Sequence, residues 1–334
     1  MKYLRANQLA PGLVTACGLY NAENRLMLAA NTILTDTLVS RIRALNFHGV
    51  YVLHEPDDTA YAPLLDDEAR QNAIKTLKSL DIDQIRYVAN NITNQVLYGA
   101  DRLYDMMTVS AYDDLTYMHS VNVTILSVML GVAMGLVNDR LIELGQAALL
   151  HDIGKTRIDP NIIKKPGRLT DDEYAQIRNH PQYGYDMLAD NNSVPELVRL
   201  SVLSHHENED GTGYPYGLKS PSIPVYAKII HVADVYDAMV SKRSYKDRLN
   251  PADVLEYIMA HTGSQFDLKC VTALQNSVAL YPDGVKVKLS DGIEAYVQEN
   301  TPGFPSRPVV LTDTGMLINL MTRLNITVEA IIEG

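Results

Sequence analysis

Gln146-Ala147-Ala148-Leu149-Leu150-His151-Asp152-Ile153-Gly154-Lys155 sets an imidazole beside a carboxylate at the buried end of an apolar helix. Alone, such a pair is ordinarily structural, because polar side chains at helix ends satisfy free backbone groups. Its weight comes from what recurs on either side. His119 stands in an apolar segment, His180 precedes Pro181, His205-His206 close another apolar run, and Asp234 interrupts Val232-Ala233-Asp234-Val235. Burying five imidazoles and two carboxylates is costly unless each finds a partner. Neutral imidazole with carboxylate suits divalent iron, manganese or zinc. One carboxylate can bridge two such ions, and two ions about 3.5–4 Å apart can activate a shared hydroxide and hold the oxygens of a phosphoryl group.

Outward from this stretch the pattern is mainly α. Apolar residues recur at three- and four-residue spacing from Leu77 to Met107, and further helices are expected over 115–136, 141–152, 171–179, 183–190, 194–206, 225–240, 252–260 and 268–280. The first 66 residues differ: β-type runs at 13–15 and 50–53 flank a helix over 36–45 that Thr35 can cap, giving a small α+β module. The acidic stretch 55–67, with Pro56 and Pro63, reads as a linker. After Pro282-Asp283-Gly284, alternation at 285–289, a turn at Ser290-Asp291-Gly292 and runs at 293–297, 308–311 and 326–332 form a β-rich tail. The organisation expected is a module at 1–66, a helical domain at 67–284 and the tail at 285–334.

Composition narrows the function classes. The 334 residues carry 29 Lys and Arg against 40 Asp and Glu, a net charge of −11, with 46% hydrophobic and 21% charged residues. Such a chain builds a real core and is neither disordered nor fibrous. The acidic balance argues against duplex nucleic acid and anionic membranes as partners. Cys17 and Cys270 alone make neither a disulfide framework nor a cysteine-ligated zinc site. The opening residues lack a signal-peptide pattern. The apolar stretch 123–137 is shorter than the ~20 residues of a membrane span, so a buried core helix in a cytoplasmic protein is expected.

The motifs His151-Asp152-Ile153-Gly154-Lys155, His180-Pro181, His205-His206-Glu207 with Gly211-Thr212-Gly213-Tyr214-Pro215, Val232-Ala233-Asp234-Val235-Tyr236-Asp237-Ala238-Met239 and Arg243-Ser244-Tyr245-Lys246 occur in that order. Over about half the chain they resemble the HD-GYP subgroup of the HD-superfamily phosphohydrolases. The resemblance implies an HD-type helical bundle with two divalent ions, iron with manganese as the alternative. It also implies hydrolysis of cyclic di-GMP to linear pGpG, which many members of the subgroup carry on to GMP. One ion would take His119, His151, Asp152 and Asp234; the other would share Asp152 and take His180, His205 and His206. Some relatives hold a third ion through a carboxylate one turn before the first histidine; here that position is Leu115, with Asp114 about 100° away.

Other residues carry two readings each. Lys155 is a catalytic or phosphate-binding cation, or a solvated lysine. Arg243 and Lys246 share a helical face and can clamp phosphate, or form a solvated basic face. Tyr214 contacts a base or phosphate, or packs the loop. Glu207 and Asp237 orient imidazoles or form helix salt bridges. His231 reads as a hydrogen-bonded core residue, Asp210 as part of its loop's internal bonding, and His48, His54 and His261 as structural or exposed. Where the subgroup often has arginine and tryptophan, this chain has Asn208 and Glu209. Two alternatives stay open: a hydrolase for another cyclic dinucleotide or nucleotide, and a receptor that binds without turnover. A homodimer is compatible with the sequence, and neither module names its input.

Overall fold

The computed structural model describes residues 2–16, 18–20, 26–45, 47, 49–53, 64–99, 103–104, 115–165, 167–240, 250–281 and 283–332. It divides into two compact units. One comprises Glu68–Leu103 with Leu115–Ser277, and the other comprises Met1–Asp67, Tyr104–Asp114 and Val278–Gly334.

The first unit is helical: α2 (Asp67–Ser79), α3 (Ile82–Tyr98), α4 (Leu115–Ala133), α5 (Asp139–Leu150), α6 (Pro160–Ile163), α7 (Asp171–Ile177), α8 (His180–Leu188), α9 (Glu196–Ser204), α10 (Val225–Val240), α11 (Pro251–Ala260) and α12 (Leu268–Ser277). The other unit contributes one more helix, α1 (Asp36–Ala44). The mainly α expectation holds. Helix α4 is the axis, packed by α3, α5, α10 and α12. Its Val121, Val123, Ile125, Leu126, Val128 and Leu130 are buried, each contributing about 1.5–3 kcal/mol. That burial explains the long apolar run in the sequence. Among the described residues, no helix is long and apolar enough to cross a membrane.

The sequence periodicity ran unbroken through residue 80, but the structure breaks it there. Leu80 takes φ +53°, and the Asp81 side chain caps α3 by accepting from the Gln84 amide at 3.3 Å. Helix α8 begins at His180, three residues earlier than expected, because Pro181 sits in its first turn, where a missing N–H costs nothing. A 3-10 turn over Ile153–Arg157 and the short α6 had no periodic signal at all.

In the second unit, β1 (Lys2–Arg5) pairs antiparallel with β4 (Gly49–Val52), and β2 (Leu19–Tyr20) with β3 (Leu26–Leu28). Thr35 caps α1 as its sequence suggests, at 3.3 Å from the Leu38 amide. Leu4, Leu19, Val39, Ile42, Val50 and Val52 make a core of their own. The tail is an antiparallel sheet in the order β8-β7-β6-β5-β9, from β5 (Lys286–Leu289), β6 (Glu294–Glu299), β7 (Val309–Thr312), β8 (Leu317–Asn319) and β9 (Val328–Ile331). Strand β8 was not foreseen. Most of the expected linker at 55–67 lies outside the described residues, as do Cys17, His48 and His54.

Candidate metal centre

Three of the histidines share one local device. Helices α5, α7 and α9 each leave their last carbonyls without intrahelical partners. His151 Nδ1 donates to the Ala148 carbonyl at 2.7 Å, His180 Nδ1 to Ile177 at 2.8 Å, and His205 Nδ1 to Val202 at 2.7 Å. Each imidazole thus reaches back three residues, fixes its own ring and turns Nε2 outward. Three helix C-termini, each with a partial negative pole, meet here, which favours a cation.

His119 is positioned by α4 and α10 instead. Its Nδ1 donates to Asp237 Oδ2 at 2.6 Å and its Nε2 to Asp234 Oδ1 at 2.9 Å. The other Asp237 oxygen accepts from Asn122 Nδ2 at 3.1 Å. Asp234 and Asp237 are three residues apart, as are His119 and Asn122, so two pairs on facing helices interlock. Asp237 therefore orients an imidazole. Glu207 does not: its oxygens accept the backbone amides of Tyr216 and Leu218 at 2.8 and 2.9 Å, which shapes the glycine-rich loop.

The structure gathers the ligating atoms into two groups, His119 with His151 and Asp234, and His180 with His205 and His206, each within 4.8 Å. Asp152 stands between them. Its Oδ2 is 3.5 Å from His151 Nε2 and its Oδ1 is 3.3 Å from His180 Nε2. Lys155 Nζ reaches Oδ2 at 2.5 Å, with a quarter of that side chain exposed.

Protonation follows from these surroundings. Burial lowers the pKa of His180 to about 4. Burial, reinforced by neighbouring imidazoles, holds His205 and His206 well below the ordinary value. Burial also pulls His119 down, but its contacts with Asp234 and Asp237 prevail and raise it to about 9. Burial would raise Asp152, yet Lys155, then His151 and His180, hold it well below the usual carboxylate range.

These groups fit divalent metal. With Nδ1–H of His180 and His205 committed to carbonyls and both rings neutral, two Nε2 lone pairs face each other at 3.2 Å. Two nitrogens each about 2.1 Å from one ion stand about 3.0–3.4 Å apart. His151 Nε2 and Asp152 Oδ1 are buried without a hydrogen-bond partner, an arrangement that costs about 1–3 kcal/mol per group unless a cation satisfies it.

Around the centre, His231 Nδ1 donates to the His205 carbonyl at 2.8 Å, so it braces His205 from the core. Asp210 accepts from Thr212 Oγ1 and its amide, inside its own loop. His261 Nδ1 donates to the Tyr257 carbonyl at 2.8 Å, away from the centre. Glu209, one of the departures from the subgroup, pairs with Lys228 of α10 at 2.8 Å and ties the loop to the bundle. Tyr214 lies against His206, ring centroids 4.7 Å apart and 24° from parallel. The Arg178 guanidinium lies 4.7 Å from the Tyr214 centroid. Arg178 was not foreseen, nor was Asn122. A polar Asn122 three residues past His119 in an apolar helix was a readable sign, whereas Arg178 had none. Asp114, Arg243 and Lys246 lie outside the described residues.

The HD domain family matches residues 103–270. The chain is 36% identical over 71% of its length to a cyclic di-GMP phosphodiesterase, PA4108 of Pseudomonas aeruginosa, covering 58% of that protein. It is 38% identical over 42% of its length to the 3'3'-cGAMP-specific phosphodiesterase 2 of Vibrio cholerae, covering 27% of it. The chain thus spans less than two thirds of either relative. Among solved structures it resembles Bd1817, a HDG"Y"P protein from Bdellovibrio bacteriovorus. The TM-score is 0.56 and the identity 18%, over 81% of this chain and 97% of that one, a likeness of fold. The chain belongs to the HD-domain family. The Gly213-Tyr214-Pro215 element places it in the HD-GYP subgroup.

Proposed function

We propose that the chain is a metal-dependent phosphodiesterase that hydrolyses cyclic di-GMP to pGpG and onward to GMP. The observation that carries the reading is Asp152, whose two oxygens face two separate groups of ligating atoms. His119, His151 and Asp234 would hold one divalent ion, His180, His205 and His206 a second, with Asp152 shared. Iron, with manganese as the alternative, suits this nitrogen and oxygen set. Bound there, divalent cations supply Lewis acidity, lowering the pKa of water towards neutrality and drawing charge from phosphoryl oxygens. The chain's residues do the rest. Asp152 fixes the spacing of the two groups, Asp237 holds the His119 ring, and Lys155 offers an ammonium at the mouth where a phosphate oxygen can pair. Arg243 and Lys246 add cations that an acidic protein needs near a bis-phosphate ring. Residues 1–66, with a core of their own, are assigned a regulatory or dimerisation role, 67–284 the catalytic domain and 285–334 a β-rich tail; a cytoplasmic setting matches the substrate.

Anaerobic purification followed by elemental analysis and a product assay tests this. Two equivalents of metal with pGpG and GMP formation are expected. Asp152→Asn should lower the metal content and cut turnover by about 10³-fold or more while leaving the helical circular dichroism. Full activity in that variant overturns the scheme. The similarity to a 3'3'-cGAMP-specific relative favours a second reading of the same site. Turnover of cyclic GMP-AMP above cyclic di-GMP, with dGTP as a control, would select it; tight binding without product would indicate a receptor.

A further inference from the structure

Tyr214 is the aromatic residue a base would be expected to stack on, but its ring is already occupied. His206 stacks on it at 4.7 Å with the planes 24° apart, and the Arg178 guanidinium lies over it at 4.7 Å. Both groups therefore pack on the one Tyr214 ring, linking the metal group through His206 and Tyr214 to Arg178. The loop around Tyr214 is held in place. The Tyr214 amide donates to the His206 carbonyl at 3.1 Å, Glu207 fixes the two amides beyond it, and the Tyr216 hydroxyl donates to Gln182 at 2.7 Å. A Cβ on Gly213 would strike the Asn208 amide and the His206 carbonyl, so the chain there runs as close as glycine allows.

The exposed member of the three is Arg178, and among the described residues no carboxylate or carbonyl accepts from its guanidinium. A planar cation with one face on an aromatic ring leaves its other face and its N–H edge for a ligand. Arg178 follows Ile177, the residue whose carbonyl anchors His180. Ile177 and Tyr174 of the same helix also line a groove of about 500 Å³ together with Ile162, Leu169, Lys165 and Arg168. The volume falls within the range of small-molecule sites, and of its cations Lys165 is already paired with Glu173 at 2.7 Å, which leaves Arg178 beside the groove as a cation with an open face.

We propose that Arg178 is a specificity-determining contact for a purine base of a dinucleotide phosphodiester, and that Tyr214 is a positioning residue beneath it rather than the stacking surface. The proposal rests on the phosphodiesterase reading above. It predicts a role for the plane of the guanidinium as well as its charge, since a flat cation can stack on a base where an ammonium cannot.

The test compares Arg178→Ala and Arg178→Lys in the metal-loaded full chain, with metal content measured for each. The substrates are cyclic di-GMP and bis(p-nitrophenyl) phosphate, a diester without a purine. Arg178→Ala should lose about tenfold more kcat/KM on the dinucleotide than on the artificial diester, mainly through KM, and Arg178→Lys should not restore it. Equal losses on both substrates would make Arg178 a mere support of His206 and overturn the assignment, as would full rescue by lysine or an unchanged KM. A wild-type chain that cleaves the artificial diester but no cyclic dinucleotide sinks the cyclic-dinucleotide reading of the site, and the Arg178 assignment with it.

Discussion

His119 donates to two carboxylates at once, and that pairing lifts its pKa from 6.5 to about 9. In the metal-free chain the imidazole is therefore charged at neutral pH. A raised folded-state value stabilises fully below the unfolded value of about 6.5, and the contribution fades as pH climbs through 9. A shift of this size corresponds to roughly 3 kcal/mol. The Tm of metal-free protein should fall between pH 7 and 9.5, and Asp237→Asn should flatten that profile. A cation at Nε2 must displace the same proton, so apparent metal affinity should rise by about tenfold per pH unit up to pH 9. Chelator competition at pH 6.5, 7.5 and 8.5 measures this; a flat affinity would mean the ring is already neutral. Asp237→Asn should also weaken metal binding by about 10–100-fold, the usual cost of losing the group that orients a ligand histidine. These candidate ligands were readable because buried histidines in apolar runs need a reason. Asp237's role was left open in the sequence because an acid one turn from Asp234 serves a salt bridge equally well.

The element that brings Asp152 to its place is the 3-10 turn after α5, docked against α8. At Gly154 an added Cβ would collide with the His180 carbonyl and the Gly184 amide, both main-chain atoms that cannot swing aside. Gly154→Ala should therefore cost about 3 kcal/mol or more and part Asp152 from His180. Denaturant melts and metal stoichiometry read the two effects; a variant with wild-type stability and two metals would show that the turn can yield. Helices whose apolar stripe faces the core, such as α3 and α10, were legible from periodicity. The 3-10 turn and α6 were not, because tertiary contacts hold them with no repeat to read. Arg178 was illegible for a related reason: its partner Tyr214 is remote in sequence, and only folding sets the guanidinium over the ring.

At the scale of the molecule, metal should act on stability as well as chemistry. A ligand present at a hundred times its dissociation constant adds about 2.7 kcal/mol to the folded state, so stripping the metal should lower Tm by several degrees and reloading should restore it. An unaltered Tm would mean that the centre is empty in the native protein. The changes of texture near residues 66 and 284, from alternation to helical spacing and back, were visible in the sequence, whereas the gathering of the first residues and the tail into one compact unit and the order of the tail's strands were not, since pairing partners leave no local mark. One consequence of the three converging helix ends reaches beyond the ligands. Like poles of several dipoles have been crowded together, and the backbone itself resists that crowding until a counter-charge arrives. Protease should therefore find the tails of α5, α7 and α9 sooner in protein from metal-starved cells than in protein from replete ones.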